Sequence, residues 1–173
     1  MRLPTRWSET IFRPSAVPMG GTAVRTRVGH SFIKEEMRKR NAIFGGEHSG
    51  HFYFRDNWYA DSGLIALLLT LELLSTADQP LSELLKPLDS WVRSGEINTR
   101  VNDVEGKLHA LEEQYSKGAE FVDHLDGLTF DYGDWWFNVR ASNTEPLLRL
   151  NVEAKTKALM EQKRDEVLAL IRG

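Results

Sequence analysis

Apolar residues fall in short blocks along the first half of the chain and in alternation along the second. Residues 22–28 alternate hydroxyl or basic side chains with Ala23, Val24 and Val28, which predicts a short strand after Gly20-Gly21. Gly29-His30-Ser31 follows. Ser31 is read as the N-cap of a helix with Phe32, Ile33, Glu35, Glu36 and Met37 in its first turns. Strands are expected over 42–44 and 52–54, with a polar loop between them. Asp61-Ser62-Gly63 opens a helix to about Leu74 whose Leu64, Ile65, Leu67, Leu68, Leu69, Leu71, Leu73 and Leu74 are apolar nearly all round, a pattern that predicts burial on most sides. The sum is an α/β layout, a mixed sheet with helices.

Residues 75–80 form a polar break, after which Pro80 starts a short helix that Pro87 ends, and a domain boundary is placed near residue 87. Beyond it the pattern changes. Residues 96–101 are strand-like, and Val104, Leu108, Leu111 and Tyr115 form the stripe of an amphipathic helix. Leu128, Phe130 and Tyr132 alternate, Gly133-Asp134 reads as a hairpin turn, and Trp135, Phe137 and Val139 alternate with Trp136, Asn138 and Arg140. That alternation makes Trp135 core and leaves Trp136 exposed or packed at an interdomain face. Leu148, Leu150 and Val152 alternate again, and a helix from about Thr156 turns Met160, Val167 and Ile171 inward. Lys155, Lys157, Lys163 and Arg164 are read as the solvated face of that helix. This half predicts a small α+β domain with an antiparallel sheet and helices on one side. The expected organisation is an atypical segment over 1–19, a partial α/β domain over 20–87 and an α+β domain over 88–173.

Composition narrows the partners more than the fold. A formal net charge of −3 gives no field that favours nucleic acid or an anionic membrane. The most apolar stretch, 64–74, is shorter than the ~18 residues of a membrane span, and no secretory leader is read. The chain has no cysteine, which rules out disulfides and suits a cytoplasmic location. The first 28 residues hold Arg2, Arg6, Arg13, Arg25 and Arg27 against Glu9 alone. Pro4, Pro14 and Pro18 would break a transit-peptide helix there, so an irregular N-terminus is expected.

The chemistry concentrates in two polar loops. Gly45-Gly46-Glu47-His48-Ser49-Gly50-His51 offers a carboxylate, a hydroxyl and imidazoles on flexible backbone, the equipment for reading sugar hydroxyls. Arg140-Ala141-Ser142-Asn143-Thr144-Glu145-Pro146 offers a guanidinium fork and short donors that fit phosphate. A hairpin loop that caps its own backbone fits the same residues equally well. Zinc held by His30, Glu47, His48 and His51 is set aside, because the pair of histidines sits in a Gly-rich loop and not on a rigid helix.

Together the loops resemble the α-D-phosphohexomutase family, the phosphomannomutase and phosphoglucomutase enzymes. Residues 46–51 are similar to its sugar-recognition loop in the third domain, residues 140–146 to its phosphate-binding loop in the fourth, and Val28-Gly29-His30-Ser31-Phe32-Ile33-Lys34 also fits the third-domain pattern. The resemblance implies that Glu47 and Ser49 contact the sugar of a mannose or glucose phosphate, with His30 near the site of phosphoryl transfer or the ring oxygens and His51 supporting the loop or the ligand. It implies likewise that Arg140, Ser142, Asn143 and Thr144 clamp a phosphate.

Two family features have no counterpart in the sequence: the phosphoryl-carrying serine of the first domain and the Asp-Gly-Asp-Gly-Asp-Arg loop that holds Mg²⁺. Ser31, Ser49 and Ser142 lie in the wrong contexts, and Asp123, Asp126 and Asp131 do not rebuild the metal loop. No catalytic residue, no metal ligand and no bound cofactor is therefore expected in this chain, and no turnover without those parts. The resemblance points to a truncated or rearranged gene product, whose incomplete first domain would leave an unpaired sheet edge and exposed apolar surface. Its partner would be a separate N-terminal half, or the chain is a sugar-phosphate binder or remnant without catalysis.

Overall fold

The computed structural model describes residues 22–47, 49–86, 91–142 and 144–173. The expected atypical segment at residues 1–19, the Gly20-Gly21 turn, His48, the helix stop at Pro87 and Asn143 lie outside the described residues. The chain divides into two compact units, one over Val24–Pro87 and one that takes in Leu88–Gly173.

In the first unit, residues 22–27 are irregular and not the expected strand. Alternation alone cannot make a strand, because a ladder needs a neighbour, and none of the described strands forms a ladder with this segment. Helix α1 (His30–Arg40) begins one residue before Ser31. Gly29, at φ 130°, takes the cap position in place of the expected Ser31, and its carbonyl accepts from the Ile33 amide at 3.1 Å. No acidic residue lies in the first turn: Glu36 instead pairs with Lys39 and Arg40 at 3.2 and 3.1 Å. Asn41, left-handed at φ 50°, closes the helix.

Strands β1 (Phe44–Gly46), β2 (Phe52–Phe54) and β3 (Ala60–Asp61) form an antiparallel meander with β2 in the middle. β1 starts two residues later than expected, so Gly45 and Gly46 belong to the strand and the loop shrinks. The reason is close packing: a Cβ on Gly45 would lie 2.8 Å from the Met37 sulfur and 3.1 Å from Ile33 Cγ2. Ile33, Met37 and Tyr53 are the buried core of this unit among the described residues.

Helix α2 (Gly63–Thr76) starts as expected, with the Ser62 hydroxyl accepting from the Ile65 amide at 3.2 Å. Its burial differs. None of its residues is buried, and Leu64, Leu67, Leu68 and Leu71, one face at helical spacing, are 51–67% exposed. Apolar composition makes a helix seek cover, but cover needs a neighbour, and none of the described elements supplies it. Ile43, Phe44 and Trp58 extend the apolar exposure. Helix α3 (Leu81–Leu85) follows Pro80.

The second unit is a six-stranded antiparallel sheet: β4 (Val92–Arg93), β5 (Ile97–Arg100), β6 (Phe121–Asp123), β7 (Leu128–Asp131), β8 (Trp135–Ala141) and β9 (Leu147–Ala154). β4 and β5 pair in succession with β9, and the order continues β9-β8-β7-β6. Helices α4 (Val104–Tyr115) and α5 (Lys157–Arg172) cover one face, capped by Asp103 and Thr156. Between them lie Leu111, Phe130, Phe137, Val139, Leu148, Leu150, Val152, Val167 and Ile171, all at most 1% exposed. Trp135 is core as its phase requires, whereas Trp136, on the opposite face in register with Glu153 and Asp131, is also buried, at 3% exposed. Lys163 is not simply solvated: its ammonium lies 5.2 Å from the Trp135 ring centre.

Uncovered leucines should be measurable. The chain is expected to bind a hydrophobic-surface dye strongly, and Leu67→Lys with Leu71→Lys should remove much of that signal while far-UV circular dichroism keeps its helix content. Weak dye binding by the unaltered chain would contradict the exposed face.

Candidate functional site

Glu47 to His51 form a tight turn between β1 and β2. The Glu47 amide donates to the His51 carbonyl at 2.9 Å and the Gly50 amide to the Glu47 carbonyl at 3.0 Å. The turn and the start of α1 share a cleft of about 260 Å³ lined by Gly29, His30, Lys34, Glu47, Ser49, His51, Tyr53 and Asp61. All four side chains assigned to the sugar from sequence, His30, Glu47, Ser49 and His51, line this one cleft.

Two pairs organise it. Glu47 accepts from the Tyr53 hydroxyl through Oε1, and Ser49 Oγ lies 3.4 Å from Oε2. Burial, helped by the Glu47 carboxylate, pushes the Tyr53 hydroxyl well above the ordinary phenol range, so it remains a donor to Glu47. On the other side, Asp61 Oδ2 is 2.7 Å from His51 Nδ1, and Asp61 Oδ1 accepts from the Phe52 amide at 2.8 Å. Nδ1 is thereby engaged, and Nε2 is the nitrogen left for a ligand. Lys34 adds a cation at the cleft, its Nζ 5.8 Å from the Tyr53 ring centre. A carboxylate with spare lone pairs, a hydroxyl, an ammonium and an oriented imidazole can read a polyol and tolerate a nearby anion.

Sequence reading missed Lys34, Tyr53 and Asp61. Asp61 is ten residues from His51 and was taken as part of a helix start. The signal was the hairpin itself, because Tyr53 pairs with Asp61 across β2 and β3 and brings that carboxylate beside the loop.

The second loop follows β8. The Ser142 amide donates to the Leu147 carbonyl at 3.0 Å and closes the turn, and Ser142 Oγ lies 3.5 Å from Thr144 Oγ1. Arg140 does not stand free. Its Nη2 is 3.2 Å from Glu96 Oε2, while Arg149 Nη1 is 3.1 Å from Glu96 Oε1. Arg100 pairs with Glu145 at 3.0 Å. Glu96, Arg149 and Arg100 were not among the residues singled out, since 44 and 53 residues separate Glu96 from its two partners.

Residues 8–90 match the family model described as phosphoglucomutase/phosphomannomutase, alpha/beta/alpha domain III, and residues 96–170 match the C-terminal domain of the same family. The chain belongs to the phosphoglucomutase/phosphomannomutase family. It is similar to the phosphohexose mutases of Xanthomonas campestris pv. campestris strain B100, 45% identical over 89% of this chain and 35% of the relative. A phosphomannomutase of Escherichia coli K12 is 45% identical over 88% of this chain and 34% of its own. A crystal structure of a phosphoglucomutase/phosphomannomutase family protein from Burkholderia thailandensis superposes with TM-score 0.75 at 33% identity, over 90% of this chain and 33% of that one. The chain thus spans about a third of the length of the curated relatives it matches.

Among the described residues no group of three or more His, Asp or Glu side chains could hold a metal ion such as the Mg²⁺ associated with phosphohexomutases. Nor, among those residues, is any helix long and apolar enough to cross a membrane.

The His51–Asp61 pair gives the mutase-family cleft a pH signature. The Asp61 carboxylate holds His51 above its ordinary 6.5, and His51, with the Phe52 amide, holds Asp61 below its ordinary 3.8. The His51 contribution to stability is complete below about pH 6.5 and is lost as pH rises through its raised value. The Asp61 contribution is complete above pH 3.8 and is lost as pH falls through its lowered value. Asp61→Asn should return the His51 titration, followed by its ring-proton resonances, towards 6.5. A midpoint that does not move would mean the pair is not formed.

Proposed function

We propose that this mutase-family chain recognises a hexose phosphate, either a mannose or a glucose phosphate, and does not transfer its phosphoryl group unaided. The observation that carries the reading is the convergence of His30, Glu47, Ser49 and His51, from one helix and a turn, on one polar cleft. In this reading Glu47 accepts from ring hydroxyls, Ser49 donates to them, and His30 and His51 complete the contact. Arg140, Ser142, Asn143 and Thr144 hold a phosphate, the guanidinium with its directional donors and the loop with hydroxyls and amides.

The absence of turnover follows from the chemistry. Phosphoryl transfer rests on positioning and on neutralising charge at the moving group, and the sequence holds neither the phosphoryl-carrying serine motif nor the metal loop. A separate chain bearing both would complete the reaction. The alternative, a passive sugar-phosphate binder, shares the cleft and differs in having no such complement.

Calorimetry with glucose 1-phosphate and mannose 6-phosphate tests the reading. Arg140→Ala should weaken binding by about 1.5–3 kcal/mol, the scale of a charge-assisted hydrogen bond. Glu47→Gln should weaken hexose phosphates while leaving inorganic phosphate unaffected. If neither substitution changes affinity, both loops are turns and the proposal fails. Turnover on mixing with a fragment bearing the serine and metal loops would favour the enzyme part over the passive binder.

A further inference from the structure

The polar face of the second sheet carries an arrangement that the proposed phosphate loop does not account for. Arg140 of β8 and Arg149 of β9 stand directly opposite each other in the ladder. Paired positions of this kind place their side chains side by side, and two guanidiniums there repel. Glu96 lies between them and divides its oxygens, Oε2 to Arg140 at 3.2 Å and Oε1 to Arg149 at 3.1 Å. All three side chains are 21–31% exposed, so the attraction is less screened than at an open surface.

We infer that Glu96 and Arg149 are positioning residues that hold the Arg140 fork ready for an anion at the 140–146 loop. The inference rests on the reading that Arg140 binds phosphate. Glu96 precedes β5, and β5 is registered on β9 through Asn98 opposite Arg149, so the sheet fixes where the carboxylate sits. Arg149 takes one oxygen and leaves the other for Arg140. A guanidinium carries five N–H donors, and the single Arg140 nitrogen bonded to Glu96 leaves the remainder of the fork unspent. The three charges sum to a net positive site, which still attracts an anion. A long arginine restrained beforehand loses less rotamer freedom when the anion arrives.

Competition is the opposite possibility, with Glu96 occupying the place of the anion. Its geometry speaks against that. Arg149 anchors Glu96 independently of Arg140, so the carboxylate has a partner to stay with when an anion binds.

Phosphate-ester binding by the full chain tests this, read by ³¹P resonance titration with glucose 1-phosphate into the millimolar range. Glu96→Gln keeps the side-chain shape and should weaken binding about tenfold, the scale of one charge-assisted hydrogen bond, with little change in thermal midpoint. Arg149→Met should reproduce the loss, and Arg149→Lys should restore most of it. In an Arg140→Met background, Glu96→Gln should add nothing, because its effect runs through the fork. Unchanged binding in Glu96→Gln overturns the inference, and so does tighter binding, which would mark a competitor. An equal loss in both backgrounds overturns it as well, since that is what a merely structural role gives. If Arg140→Met itself leaves affinity unchanged, the phosphate reading fails first and this inference falls with it.

Discussion

Tyr53 is the point at which the first unit's stability and its chemistry meet. Its ring is 1% exposed and packs with Ile33 and Met37, the other buried members of that core. Its hydroxyl reaches the Glu47 carboxylate. In so small a core, the docking of α1 on the sheet and the place of the cleft acid depend on the same side chain. The protonation state follows from that burial. A hydroxyl pushed far above its usual range stays a donor, so Glu47 is met by a hydrogen-bond partner and not by a second negative charge.

The second unit separates the two tasks. Phe137, Val139, Leu148, Leu150 and Val152 face the helices, while Arg140 and Arg149 on the same strands face away. Period-two alternation makes this division automatic: the strand that builds the core also carries the cations, at no loss to packing. The polar face is then free to specialise, and the Asn138 side chain, which donates to Thr129 Oγ1 at 3.0 Å and to the Asp126 carbonyl at 2.8 Å, shows how fully it is tied down.

Much of this was readable from the order of residues, and the parts that were not share a cause. Local chemistry read well: the Ser62 cap, a helix from about Thr156, the Gly133-Asp134 turn, and the α4 and α5 stripes. Residues 22–28 failed as a strand because pairing is a property of two segments. The leucines of α2 failed as core because burial is a property of what surrounds a helix. Asp61 and Glu96 were missed as site members because strand register, which no local pattern encodes, brings them to His51 and Arg140.

The junction of Gly45 with α1 carries a different kind of consequence. A side chain at position 45 would run into the Met37 sulfur and the Ile33 branch methyl. Methionine can swing aside, but the β-branched Ile33 is stiff at its first torsion. Positions 33, 37 and 45 therefore cannot vary independently. A lineage that replaces the glycine needs a smaller residue on the helix, and a bulkier helix residue keeps the glycine in place, so substitutions at these sites should arrive as coupled sets.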